Sequence, residues 1–172
     1  MSEPRLWLID SFALIFRAYY GNLRMKNGAA VTMARMLLNL VAQHQPTHLA
    51  CVFDRPEPTF RHELYPEYKA NRAEMPEDLR PQIPLIRELI AGLNIPIVEL
   101  PGYEADDVMG TLARRAAAAG MKSVIVSPDK DLLQLVDDGA GIQVLNNKDG
   151  EVWIDRAGVK ELFGVWPEQV VG

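Results

Sequence analysis

The sequence predicts an α/β fold, a mostly parallel central sheet with flanking helices and an acidic site at the carboxyl ends of its strands. Three observations predict it. Strand-like and helix-like segments alternate along most of the chain. The strand-like runs (residues 6–9, 48–53, 95–100 and 123–126) are apolar without alternation, as in strands buried on both faces. Each of the four ends on, or is soon followed by, acidic residues, and in open parallel sheets ligands bind outside the carboxyl ends.

The elements follow in order. Leu6-Trp7-Leu8-Ile9 is the first strand and runs into Asp10. Ser11 has the side chain of a helix cap, with Phe12, Ile15, Phe16 and Tyr19 as the apolar face behind it and Arg17 off that stripe. Lys26-Asn27-Gly28 is the turn of a loop over 22–30. Val31, Ala34, Leu37, Leu38 and Val41 mark a second helix, which Pro46-Thr47 breaks. His48 to Phe53 is the second strand and leads to Asp54. Pro76 opens a third helix, with Leu79, Ile83, Ile86, Ile90 and Leu93 on one face. Ile95 to Leu100 is the third strand. After a Pro101-Gly102 turn comes Glu104-Ala105-Asp106-Asp107, the first turn of a helix with Val108, Met109, Leu112 and Ala116 on one face and Gly120 as its stop. Ser123 to Val126 is the fourth strand, followed by Asp129-Lys130-Asp131 and an apolar helix start at Leu132-Leu133. Two short strands (142–145 and 152–154) flank a turn at Asp149-Gly150, and a short helix covers 156–163.

Bulk properties fit one domain of an ordinary globular protein: 172 residues, 48% hydrophobic and 24% charged. The amino terminus lacks a signal-peptide pattern, and no apolar run reaches the ~18 residues of a membrane span. The single cysteine, Cys51, lies in an apolar run and reads as a small core residue in a reducing, cytoplasmic setting. A net charge of −5 argues against a sequence-independent nucleic-acid coat, but not against an enzyme that holds divalent cations.

The strand ends gather Asp10, Asp54, Glu104, Asp106, Asp107, Asp129 and Asp131 on one rim. Like charges so grouped repel by roughly 1 kcal/mol per pair at ~4 Å even in bulk water, so the rim calls for a counter-ion. All-oxygen carboxylate sites select Mg²⁺ or Mn²⁺ over Zn²⁺. The histidines, His44, His48 and His62, have no zinc-ligand spacing; His44 and His48 read as surface residues. A rim of this kind can hold two metals that clamp a phosphodiester, which points to phosphoryl chemistry. The segment from Phe60 to Arg72 interleaves Arg61, His62, Lys69 and Arg72 with Phe60, Tyr65 and Tyr68. Such a mixture suits a nucleic-acid strand, with cations on phosphates and rings on unpaired bases, but its interspersed Glu63 and Glu67 also suit a solvated loop.

Here the chain resembles a known family. Phe60-Arg61-His62-Glu63-Leu64-Tyr65-Pro66-Glu67-Tyr68-Lys69-Ala70-Asn71-Arg72 is similar to the signature of bacterial 5′ nucleases, the flap-endonuclease family that includes the N-terminal 5′→3′ exonuclease domain of DNA polymerase I. Gly102 to Asp107 and Asp129 to Leu135 match its other strong motifs, and Leu8-Ile9-Asp10 with Phe16-Arg17 and Val52-Phe53-Asp54 match the rest, in order, over almost the whole chain. The resemblance implies a PIN-like core and a divalent-metal-dependent 5′→3′ exonuclease and flap endonuclease acting on branched or nicked DNA. It implies Asp10, Asp54, Glu104, Asp106, Asp107, Asp129 and Asp131 as direct or water-mediated metal ligands, Mg²⁺ first and Mn²⁺ as a substitute. By the same resemblance Lys69 and Arg17 hold the scissile phosphate, Tyr68 stacks on an unpaired base, and Tyr68, Lys69 and Arg72 stand at the base of an arch over residues 68–81. DNA with a flap, nick or free 5′ end is the implied partner, with a polymerase fused or alongside, on the bacterial nucleoid.

Two departures go with the match. The family continues past Gly172 into a helix-hairpin-helix region that grips duplex DNA and adds metal-binding aspartates; residues 164–172 read as its start. The family also has a Thr and small residues before the second helix, where this chain has Val31 and Met33. Two further readings stand beside the nuclease: a DNA-binding fragment with the fold but no turnover, and a small-molecule phosphotransferase with Asp10 as nucleophile. No Gly-rich phosphate loop supports a nucleoside triphosphatase.

Overall fold

Successive residues of the central strands bury alternate side chains in two cores, one on each face of the sheet. In β1 (Arg5–Asp10), Trp7 and Ile9 enter one core and Leu8 the other. In β2 (His48–Val52), Cys51 joins the first core and Ala50 and Val52 the second. In β4 (Lys122–Val126), Val124 and Val126 face the first core and Ile125 the second. This doubly buried pattern is why the sequence runs lack alternation. The computed structural model describes residues 4–55, 75–147 and 150–170.

The sheet has six strands in the order β3-β2-β1-β4-β5-β6. Here β3 is Ile97–Val98, β5 is Ile142–Asn146 and β6 is Val152–Ile154. All pairings are parallel except β5 with β6. The helices α1 (Ser11–Gly21), α2 (Gly28–His44) and α3 (Gln82–Gly92) cover the first core. On the other face lie α4 (Ala105–Ala118), a 3₁₀ helix over Lys130–Leu135, and α5 (Arg156–Phe163). Gly110 lets α4 approach the 3₁₀ helix, since a Cβ there would sit 3.2 Å from Leu135 Cδ2.

Several expectations need correction. Ser11 is not the cap of α1: Asp10 holds that position, and the buried Ser11 hydroxyl turns back to the Ile9 carbonyl. The apolar face of α2 is Ala29, Ala30, Met33, Leu37 and Leu40, while Val31, Leu38 and Val41 are exposed by 40%, 53% and 40%. Both stripes carry helical spacing, and the buried one lies in the first core, where α2 packs against α1 and α3. The third helix starts at Gln82, not Pro76. Pro81 disfavours the helical backbone at Arg80, so residues 77–81 form turns instead. β3 spans only two residues, because Pro96 cannot donate to the ladder and the strand lies at a sheet edge. His44 is half-buried at the surface rather than a free solvated side chain: its ring packs on Trp7 at 4.8 Å and Trp153 at 5.7 Å, with Glu151 2.7 Å from Nε2. Leu132 and Leu133 are buried in the 3₁₀ helix.

Candidate metal centre and active site

The strand order reverses direction between β1 and β4, since the chain passes outward from β1 through β2 to β3 and then crosses back. A crevice at the carboxyl ends of such a pair is the usual ligand position. Ile9 pairs with Val126, so Asp10 and Ser127, the next residues on each strand, stand side by side there. The Ser127 hydroxyl donates to Asp10 Oδ2 at 2.6 Å and accepts the backbone N–H of Asp129 at 3.0 Å. Asp129 in turn accepts the N–H of Asp131 at 2.9 Å and so caps the 3₁₀ helix.

The β2 end reaches the same site. Asp54 Oδ1 accepts the backbone N–H of Ala105 at 2.7 Å, at the start of α4. Glu104 is the extended N-cap of that helix and is buried; Asp106 and Asp107 occupy its first turn. Carboxylate oxygens of Glu104, Asp106 and Asp107 lie within 4.8 Å of one another. The positive end of the helix dipole favours anions at this place.

Asp10 shows how crowded the rim is. Its pKa is raised to about 7, chiefly by burial, with the Ser127 hydrogen bond pulling it down and the charges of Asp54, Asp129 and Asp106 pushing it up. Asp10, Asp54, Asp106 and Asp129 therefore share one field, and Asp106 links them to Glu104 and Asp107. Every one of these donors is an oxygen, and a hard divalent cation fits such a set. Arg17 extends from α1 to the end of β5, where its guanidinium donates to Asn147 Oδ1 at 3.2 Å and to the Asn147 carbonyl at 3.3 Å. Tyr68, Lys69 and Arg72 lie outside the described residues, as do 68–74 of the expected arch.

Sequence reasoning missed Ser127 and Asn147. Ser127 stands directly after β4, as Asp10 ends β1, but nothing in the sequence states that those two strands are neighbours.

A family model described as "5'-3' exonuclease, N-terminal resolvase-like domain" matches residues 5–164. The chain belongs to this 5′-3′ exonuclease family. Among curated relatives, DNA polymerase I of Pseudomonas aeruginosa is 42% identical over 99% of this chain and 19% of its own length. A 5′-3′ exonuclease of Aquifex aeolicus is 37% identical over 96% of this chain and 58% of its own. The chain thus spans about a fifth of the polymerase relative and somewhat over half of the exonuclease. A solved T5 5′-exonuclease, with divalent metal ions (zinc) bound, aligns with a TM-score of 0.79 at 21% identity, covering 96% of this chain and 64% of that one. At that identity the likeness shows the shared fold. The mostly parallel sheet with flanking helices is therefore the architecture of the 5′-3′ exonuclease family.

Proposed function

We propose that the chain carries the catalytic half of a divalent-metal-dependent 5′→3′ exonuclease and flap endonuclease that hydrolyses phosphodiester bonds in branched or nicked DNA. The convergence of strand-end carboxylates carries this reading, with Glu104, Asp106 and Asp107 grouped within 4.8 Å and Asp54, Asp129 and Asp106 acting on Asp10. Family membership and the named relatives support the reaction class and the DNA substrate. The residues proposed to hold the metal are Asp10, Asp54, Glu104, Asp106, Asp107, Asp129 and Asp131. Mg²⁺ is the proposed ion, with Mn²⁺ as substitute, because among the described residues no nitrogen or sulfur donor joins the set. When bound, such ions supply Lewis-acid stabilisation of the phosphodiester and a more acidic water.

The chain's own groups do the rest. Asp10, buried and oriented by Ser127, anchors the site from β1; that hydrogen-bonded burial speaks against the alternative role of an exposed aspartyl nucleophile. Arg17 and Lys69 are proposed to hold the scissile phosphate and offset the charge that develops on it. Tyr68 stacks on an unpaired base and Arg72 contacts the backbone of the free 5′ strand. The proposed setting is cytoplasmic DNA, beside or fused to a polymerase, a reading supported by relatives named DNA polymerase I. Among the described residues no helix is long and apolar enough to cross a membrane.

The test is cleavage of a 5′-labelled flap DNA with Mg²⁺, with Mn²⁺ and with EDTA. Labelled product that forms in either metal and vanishes in EDTA is the expected result. Product that persists in EDTA overturns the metal assignment.

A further inference from the structure

We propose that Ser127 is a positioning residue of the metal site: its hydroxyl orients the Asp10 carboxylate and ties it to the loop that carries Asp129 and Asp131. The inference rests on the metal-binding reading of the rim given above. Ser127 is 1% exposed, and both capacities of its hydroxyl are engaged, one bond given to Asp10 Oδ2 and one taken from the Asp129 N–H. A carboxylate turns readily about its Cβ–Cγ bond, and a bond of 2.6 Å to one oxygen restricts that turn. The Asp129 N–H bond restricts the loop after β4, and the Asp129 side chain passes the restraint to Asp131 through its N–H. One hydroxyl thus joins β1 to the 3₁₀ helix at the point where the strand order reverses. Hydrogen bonds that orient ligating carboxylates typically change metal affinity by about 10- to 100-fold.

A purely structural serine would satisfy buried polar groups and leave the affinity for metal alone. The two roles separate in three measurements on Ser127→Ala and Ser127→Thr: Mn²⁺ binding to the DNA-free chain, read from the electron paramagnetic resonance of free Mn²⁺; the thermal midpoint in EDTA; and the Mg²⁺ concentration for half-maximal flap cleavage. Ser127→Ala is expected to weaken Mn²⁺ binding about 10-fold or more and to raise the Mg²⁺ requirement alongside it. Ser127→Thr keeps the hydroxyl and is expected to retain wild-type binding; Ser127 borders a cleft of about 400 Å³ with Pro128, Leu133 and Phe163. Ser127→Cys, a weaker donor of similar size, falls between the two and takes the place of Ser127→Ala if that variant does not fold.

Wild-type Mn²⁺ affinity in Ser127→Ala overturns the proposal. So does an equal loss in Ser127→Ala and Ser127→Thr. Wild-type protein that binds no Mn²⁺ overturns the metal reading of the rim itself. Wild-type binding with an unchanged Ser127→Ala removes only the role of Ser127.

Discussion

Asp54 receives the backbone N–H of Ala105 at 2.7 Å, so the carboxylate after β2 is bonded to the first residue of the helix that presents Asp106 and Asp107. One side chain thus satisfies a free helix-start N–H and contributes charge to the rim. The two roles separate by substitution. Asp54→Asn keeps an acceptor for Ala105 and removes the charge; Asp54→Ala removes both. Both variants are expected to lose metal-dependent cleavage. Asp54→Ala is expected to be less stable than Asp54→Asn by about 1 kcal/mol, the worth of one hydrogen bond. Urea denaturation in EDTA checks the difference, and equal stabilities would count against the helix-anchoring role.

Asp106→Ala and Asp129→Ala are expected to abolish metal-dependent flap cleavage while changing stability by no more than about 1 kcal/mol. Each substitution removes one member of a group of like charges that acts on Asp10. The protein without metal gains from that relief. For Asp129 the gain is offset by the lost cap on the Asp131 N–H. Cleavage rates and unfolding midpoints in EDTA check both halves. Unchanged cleavage in the two variants would sink the metal assignment.

The raised pKa of Asp10 sets a pH dependence for the metal-free protein. The ordinary value is 3.8 and the folded value about 7, so between these pH values the native state binds more protons than the unfolded state. Stability from this group is then present at low pH and lost as pH rises through the window. Asp10→Asn, which carries no titrating group, is expected to flatten that part of the stability curve. Denaturation in EDTA at pH 5 and pH 7 checks it; a wild-type curve that rises as steeply as that of Asp10→Asn would contradict it.

Lys69→Ala and Arg17→Ala are expected to lower the cleavage rate more than they weaken DNA binding, as for groups that act on charge developing at the phosphate. Arg17→Ala also loses both bonds to Asn147, which join α1 to the end of β5. Single-turnover rates set against binding measured in Ca²⁺ separate the two effects. A loss confined to binding would place these cations away from the scissile phosphate.

The α/β class, the strands that make the sheet and the acidic residues at their ends were all legible in the chain. Doubly buried strands need continuous apolar runs, and a parallel sheet turns strand-end residues toward a common edge, so both leave a linear trace. Helix faces were less legible. In α2, Val31, Leu38 and Val41 have helical spacing as good as Met33, Leu37 and Leu40, and only packing in the first core, against α1 and α3, chooses between them. His44 looked like a polar helix end because its neighbours Trp7 and Trp153 are distant in sequence.

From its linear order alone the chain indicated that carboxylates would gather at one edge, as Asp10, Asp54, Asp106 and Asp129 do, because strand direction and side-chain chemistry are local properties. The tertiary structure decided that β1 and β4 are neighbours, that Ser127 therefore joins Asp10 to Asp129, and that Asp54 holds the start of α4. Those hydrogen bonds depend on strand order and register. Both are set by how the two cores pack against the sheet, and no spacing along the chain encodes them.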